Sequence, residues 1–223
     1  MSGASPHHPP VVTIAALYGA AGSVIGPRVA EELGVPFLDR AIPEAVAEQS
    51  GLPQATVADV DDGPRSTLDR LVASLGRAST ISGATGGSVE HLDVQESAVR
   101  RHVEEFLARA TISGGVAMGR GGMVVLRTVS WALHVYLGGP PEARIAQRMA
   151  IEGIDRATAE ELQRVEDAAR ISYVRRAYGV DGRDPVWYHL MLDSTAIDVD
   201  TCVDLIVTAA QARTRDPKPS LPI

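Results

Sequence analysis

Gly19, Gly22 and Gly26 stand between an apolar run, Val11-Val-Thr-Ile-Ala-Ala-Leu17, and a segment of helical spacing, Pro27-Arg-Val-Ala-Glu-Glu-Leu33. Glycines at a strand-to-helix turn let the backbone close on a phosphate. The first turn of the helix then offers free N–H groups and the positive end of its dipole. Cations for the same ligand must come from arginine, because the 21 Lys+Arg comprise 20 arginines and one lysine, Lys218, in a Pro-rich tail. Arginine's planar fork matches phosphate oxygens two at a time. The candidate chemistry is therefore binding or transfer of phosphate, carried by backbone N–H groups and arginines.

Two kinds of site fit such a turn. A dinucleotide site requires G-x-G-x-x-G with an acidic residue about 20 residues later. The spacing here is G-x-x-G-x-x-x-G with Asp39 near that distance, but the Tyr–Lys pair of a short-chain dehydrogenase finds no lysine inside the domain. A nucleoside-triphosphate site requires G-x-x-x-x-G-K-[ST]. Counted from Gly19, Val24 and Ile25 take the places of glycine and lysine, and Gly26 that of the Mg²⁺-binding hydroxyl. A loop without lysine still holds a phosphate by its N–H groups, with less stabilisation of charge in the transition state. Arg28, one turn into the helix, is the nearest substitute cation.

The elements that must position these residues alternate along the chain. Strands are expected at Val11 to Leu17, Val35 to Leu38, Gly115 to Met118, Trp131 to Leu137 and Tyr188 to Asp193. Helices are expected at Pro27 to Leu33, Arg40 to Gln49, Leu68 to Leu75, Asp93 to Ala110, Pro140 to Ile151, Ala157 to Tyr178 and Val199 to Ala212. The first of them carries Pro27 in its first turn and Gly34 as its stop. Apolar strands alternating with amphipathic helices mean an α/β fold, a parallel sheet with helices on both faces, whose ligand binds at the first strand-to-helix turn. Residues 1–10 and 213–223 read as tails, 11–212 as one domain, and Ser79 to Ser88 as a mobile Gly/Ser-rich loop.

Composition excludes several classes. Of 223 residues 45% are hydrophobic and the net charge is −7, too apolar for a disordered chain and too acidic for general affinity to nucleic acid or anionic membrane. No apolar run reaches the ~18 residues of a spanning helix. One cysteine, Cys202, supports neither a disulfide framework nor a Cys-cluster metal site. A cytoplasmic protein is expected, with self-association left open. His7-His8 is too small a set for a closed metal shell. His134 and His189 fall on strands and read as core or interface histidines, Cys202 as packing, and Trp131 and Trp187 as fillers of the sheet ends.

Four stretches in order carry a family resemblance. They are Tyr18-Gly-Ala-Ala-Gly-Ser-Val-Ile-Gly26 with Leu33-Gly-Val-Pro-Phe-Leu-Asp-Arg40, then Val116-Ala-Met-Gly-Arg-Gly121, then Leu137-Gly-Gly-Pro-Pro-Glu-Ala-Arg144, and last Asp167-Ala-Ala-Arg-Ile-Ser-Tyr173 with Leu192-Asp-Ser-Thr195. Together they resemble the cytidylate-kinase-like family, a branch of the P-loop nucleoside monophosphate kinases. The resemblance implies a five-stranded parallel core, a monophosphate-binding insertion at about 40–110 and a helical lid at about 153–180. It also implies transfer of the γ-phosphoryl group of ATP to a pyrimidine monophosphate such as CMP or dCMP, with Mg²⁺. Under it, Gly19, Ala20, Ala21, Gly22, Ser23 and Gly26 surround the donor phosphates, and Asp193, Ser194 and Thr195 lie near the adenine. Asp39, Arg40 and Arg120 meet the acceptor, while Arg170 and Asp167, with Arg164 and Arg176, serve the transfer from the lid. The family's acidic residue after Gly-Arg-Gly is missing, since Gly122 and Met123 stand there, and the protein ligands of Mg²⁺ stay unassigned. A nucleotide-sensing module without transfer is the alternative reading.

Overall fold

The computed structural model describes residues 8–38, 101 and 104–218. The expected helices at Arg40 to Gln49 and Leu68 to Leu75, the Ser79 to Ser88 loop, and nearly all of the insertion lie outside the described residues. Among the described residues, β1 (Val11–Ala16) pairs in parallel with β3 (Gly115–Met118) on one side and β4 (Ala132–Gly138) on the other. Short β2 (Phe37–Leu38) and β5 (Leu190–Asp193) complete a sheet of order β2-β3-β1-β4-β5. Every pairing is parallel, so the α/β class and the five strands hold. The strand order reverses beside β1, which places the ligand crevice at its C-terminal end, where the glycine turn stands.

The helices are α1 (Gly22–Leu33), α2 (104–113), α3 (Gly122–Val125), α4 (Pro141–Glu152), α5 (Arg156–Tyr178) and α6 (Val199–Arg215). A 3₁₀ turn spans Pro185–Trp187. Period-2 alternation sends Val12, Ile14, Leu133, Val135 and Leu137 to one face, against Ile25 and Val29 of α1 and Cys202, Val203 and Ile206 of α6. Ile25 and Val29 are four apart, one face of a helix, and both are fully buried. Val11, Ala117 and Ala132 turn to the other face and meet Leu107 and Ala110 of α2.

Several boundaries differ from expectation for local reasons. Helix α1 starts at Gly22, five residues before Pro27, because Ala21 turns the chain with a left-handed φ of 51°. Pro27 therefore sits inside the helix, where it lacks the N–H that would bond the Ser23 carbonyl. Residues at the inner ends of both expected tails contact the domain. His8 stacks on Trp131 at 4.0 Å, and the Pro10 carbonyl accepts from the Gly115 N–H. At the other end α6 continues to Arg215 and buries Thr214, while Arg213 donates to the carbonyls of Ala132 and Ser130. The turn at Pro185–Trp187 takes the Tyr188 N–H, so β5 begins at Leu190.

Of the two histidines expected on strands, His134 is buried on β4, whereas His189 is exposed and stands just before β5. His134 is 2% exposed, shares a 2.8 Å hydrogen bond with Thr13 Oγ1, stacks on His189 at 4.9 Å, and donates its backbone N–H to His189 Nδ1. Burial, aided by the charges of His189 and Arg213, holds His134 down at about 3, and partial burial with the charge of Arg213 holds His189 at about 4, from an ordinary 6.5. Both are neutral in the fold, and the unfolded chain takes up their protons first. Their contribution is thus full above pH 6.5 and is lost as pH falls through about 4 and about 3, at up to about 1.4 kcal/mol per pH unit for buried His134 and less for His189, which solvent screens. The denaturant midpoint should therefore fall between about pH 7.5 and about pH 5, and His189→Gln should remove less than half of that fall. An equal fall in the variant would place the acid sensitivity elsewhere.

Candidate functional site

Residues 17–21 turn the chain from β1 into α1. Gly19 has φ 76°, and a Cβ there would stand 2.2 Å from the Arg144 carbonyl oxygen, so glycine is required. Gly22 and Gly26 are glycines for a steric reason. A Cβ on Gly22 would meet Ala16 Cβ at 2.6 Å, and one on Gly26 would meet the Met118 methyl at 2.6 Å and the Phe37 ring at 2.8 Å. Gly26 is accordingly a packing residue a turn inside α1, not part of a phosphate loop as the glycine spacing suggested. The register of the loop shifts with it. First-turn positions, from which a cation and a hydroxyl reach a phosphate, belong to Gly22 and Ser23, whereas Ile25 is fully buried. Gly22 has no space for a lysine side chain, and Ser23 is exposed.

The loop is held from outside by its carbonyls. Arg170 donates to Ala16 O at 3.1 Å, Arg144 to Tyr18 O at 2.7 Å, Gln147 to Gly19 O at 2.9 Å and the Ser194 hydroxyl to Ala20 O at 2.9 Å. Leu17 O accepts from the Ala20 N–H. Asp167 joins the set, one oxygen accepting the Tyr18 N–H at 2.8 Å and the other pairing with Arg144 at 2.8 Å. Arg144 and Gln147 are three apart on α4, Asp167 and Arg170 three apart on α5, so each helix aims two side chains from one face. Burial lowers the affinity of Arg170 for its proton, opposed by the charges of Glu166 and Asp167.

Of the residues expected in a lid, Asp167 and Arg170 thus converge on the loop, but through its backbone. Arg164 does not: it pairs with Glu161 at 2.6 Å with 72% of its side chain exposed. Arg164→Ala should leave nucleotide affinity and turnover within about twofold of wild type, as for other exposed ion pairs. A tenfold loss would return Arg164 to the site. Arg28 is no substitute for a loop lysine either, since Asp200 of α6 holds it at 2.5 Å. Ser194 is buried behind the loop at 2% exposure, so it supports the loop rather than facing a base. Asp193 accepts from the Thr195 hydroxyl at 2.6 Å and the Thr195 N–H at 3.0 Å, which hold its carboxyl below the usual range. Asp39 and Arg40 lie outside the described residues.

A cavity of about 570 Å³ opens between α5 and the second face of the sheet, and Ala16 and Leu17 line it, so it adjoins the loop. Tyr136, Tyr173, Tyr188, Met123 and Val174 supply apolar lining, and Arg120, Arg170, Arg176, Arg183 and Glu166 charged lining, with Glu166 paired to Arg170 and Arg183 paired to Asp181. The structure therefore brings Arg120 and Arg176 together with Arg170. Arg120, at φ 57°, stacks its guanidinium over the Tyr173 ring at 5.5 Å, and its carbonyl accepts from the Tyr178 hydroxyl at 3.0 Å. Tyr136 packs on Tyr188 at 5.1 Å. Burial raises the hydroxyls of Tyr18, Tyr136 and Tyr188, which remain neutral. The Tyr173 hydroxyl is buried with no hydrogen-bond partner among the described residues. Aromatic rings beside arginines suit a planar group that carries an anion.

Sequence reasoning missed Arg144, Gln147 and the tyrosines. Nothing in the charged pattern of α4 distinguishes a buried arginine, 5% exposed, from its solvated neighbours. The tyrosines left a usable signal: the chain has five, and one lies in the loop, three line the cavity and the fifth holds Arg120. Among the described residues no group of three or more His, Cys, Asp or Glu could hold a metal ion, and no helix is long and apolar enough to cross a membrane.

The model of the cytidylate kinase-like family matches residues 11–196. A curated relative, a uronate isomerase from Corynebacterium glutamicum, is 28% identical over 143 residues, 64% of this chain and 27% of that protein. The chain thus spans about a quarter of the length of the curated relative it matches. A crystal structure of an uncharacterized protein from Eubacterium ventriosum superposes with a TM-score of 0.62 at 15% identity, covering 92% of this chain and 99% of that one. A sugar kinase from Janibacter sp. HTCC2649, unliganded, superposes with a TM-score of 0.50 at 17% identity, covering 96% and 99%. These two share the fold.

Proposed function

The chain belongs to the cytidylate kinase-like family, and from that membership we propose that it transfers the γ-phosphoryl group of ATP to a pyrimidine nucleoside monophosphate such as CMP or dCMP. The observation that carries the proposal is the aromatic, arginine-bearing cavity adjoining a glycine loop that opens α1. The donor phosphates lie against the loop and the first N–H groups of α1, with the adenine toward Asp193 and Thr195. The acceptor base lies among the tyrosine rings. Its phosphate meets Arg120 and Arg176, and Asp39 and Arg40, which follow β2, complete the acceptor side. Arg170, at the seam of loop and cavity, adds positive charge where the phosphoryl group crosses. Phosphoryl transfer is mostly positioning and charge neutralisation, so arginines and N–H groups suffice in kind. Ser23, exposed in the first turn of α1, is the protein group that would reach Mg²⁺. When bound, that ion would neutralise charge on the donor phosphates.

The relative named as a uronate isomerase and the sugar kinase neighbour raise a sugar acid as acceptor. Sugar hydroxyls need carboxylates or amides, and the cavity offers one carboxylate among rings and arginines, which favours a base. A second reading, nucleotide binding without transfer, draws on the Tyr18 N–H already held by Asp167 and on the absence of a first-turn cation. ADP formation from MgATP with CMP, dCMP, UMP, AMP, GMP and glucuronate separates the three. Turnover should be highest with CMP or dCMP. Turnover with glucuronate alone would make the chain a sugar-acid kinase, and ATP binding without any turnover would favour the sensing module.

A further inference from the structure

We propose that Arg144 and Ser194 are positioning residues that build the phosphate-binding loop by its carbonyls, and so take over the structural part of the absent lysine. The inference rests on the donor reading above. A peptide unit is planar and trans, so fixing the carbonyl of one residue aims the N–H of the next in the opposite direction. Arg144 on Tyr18 O therefore sets the Gly19 N–H, and Ser194 on Ala20 O sets the Ala21 N–H. Both N–H groups point away from their clamps, and neither is taken by another group among the described residues. Gly19 and Ala21 are left-handed at φ 76° and 51°, the alternating conformation that gathers successive N–H groups into an anion-binding concavity. The first N–H groups of α1, at Gly22 and Ser23, extend the same row.

The clamps come from two separate elements, α4 and the end of β5, and both are buried, at 5% exposure for Arg144 and 2% for Ser194. A buried guanidinium bonded to two carbonyls, Tyr18 O and Gly139 O, and to the Asp167 carboxylate cannot swing out to meet a ligand. Its effect on a nucleotide must pass through the loop. Lysine at Gly22 is sterically barred by Ala16 and Met118, so a loop shaped from behind is the arrangement this chain can adopt.

Ser194→Ala removes one hydroxyl and leaves the ion pair intact, which makes it the clean test; Arg144→Lys keeps the charge and loses the fork. Three readouts are taken on the full chain: amide hydrogen exchange of Ala20 and Val24, which bond Leu17 O and Ala21 O, affinity for ATP and inorganic tripolyphosphate, and affinity for CMP. Each variant should speed exchange at both amides and weaken ATP and tripolyphosphate by about fivefold to tenfold, the worth of one hydrogen bond. CMP affinity should stay within about twofold. Unchanged exchange overturns the clamp, and faster exchange with unchanged ATP affinity reduces it to a fold-stabilising contact, which also overturns it. Wild-type protein that binds neither ATP nor tripolyphosphate overturns the donor reading and with it the clamp as a phosphate device. If Arg144→Lys does not fold, Ser194→Ala decides alone.

Discussion

Gly19→Ala should abolish ATP binding and lower the melting temperature by about 6–12 °C, as expected for a loss of about 3 kcal/mol in a domain of this size. Two costs combine. A non-glycine residue at φ 76° costs about 1–2 kcal/mol. The new Cβ would also stand 2.2 Å from the Arg144 carbonyl oxygen and 2.8 Å from its carbonyl carbon. Those are backbone atoms in the first turn of α4, and moving them drags the Arg144 guanidinium off Tyr18 O, Gly139 O and Asp167. Gly34→Ala is the internal control. Its φ is 65°, but nothing lies within 4 Å of the added Cβ, so it should show the conformational cost alone and keep ATP affinity. Thermal melts and nucleotide titration of the two variants, side by side, measure the difference. Equal effects would mean that the close approach to Arg144 is relieved at no cost.

Asp167→Ala should destabilise the fold by about 3–5 kcal/mol, because it leaves the Arg144 guanidinium uncompensated in a buried place. The side chain of Arg144 is 6% exposed and that of Asp167 17%, so solvent screens the pair little. The same change strips the acceptor from the Tyr18 N–H at the mouth of the loop. Asp167→Asn keeps that acceptor and most of the shape, and should cost less than half as much. Denaturant unfolding of both at neutral pH gives the comparison. A melt of Asp167→Ala like that of wild type would show that the pair contributes nothing net and that the loop is shaped by something else.

The parts of the molecule legible in the sequence were those written in period and order. Val11 to Ala16 announced itself as a buried parallel strand by being apolar on both faces, and the glycines after it marked the turn. The order of strands and helices then dictated where the ligand crevice falls. What escaped was written in space alone. Pro27 is a strong signal for a first turn, yet Ala21 starts the helix earlier by adopting a left-handed conformation that alanine rarely takes. Gly26 looked like phosphate chemistry and is glycine because Met118 and Phe37 press against it. Arg164 and Arg170 belong to one charged helix but lie about 120° apart around it at ~100° per residue, which is why one meets solvent and the other the loop. Arg144 is buried by contacts with residues more than a hundred positions earlier, such as Tyr18, and no local pattern records that.

Arg120 offers the most direct test of the two-site arrangement, since it lines the cavity with its guanidinium over the Tyr173 ring. Initial rates would be measured for wild type and Arg120→Ala, varying CMP at saturating MgATP and then MgATP at saturating CMP. An acceptor cavity beside a separate donor loop predicts a KM for CMP raised by about tenfold or more, the loss of one charge-assisted contact to phosphate, with the KM for ATP unchanged within about twofold. A KM for ATP that rises with that for CMP, or two values that both stay at wild type, would contradict it.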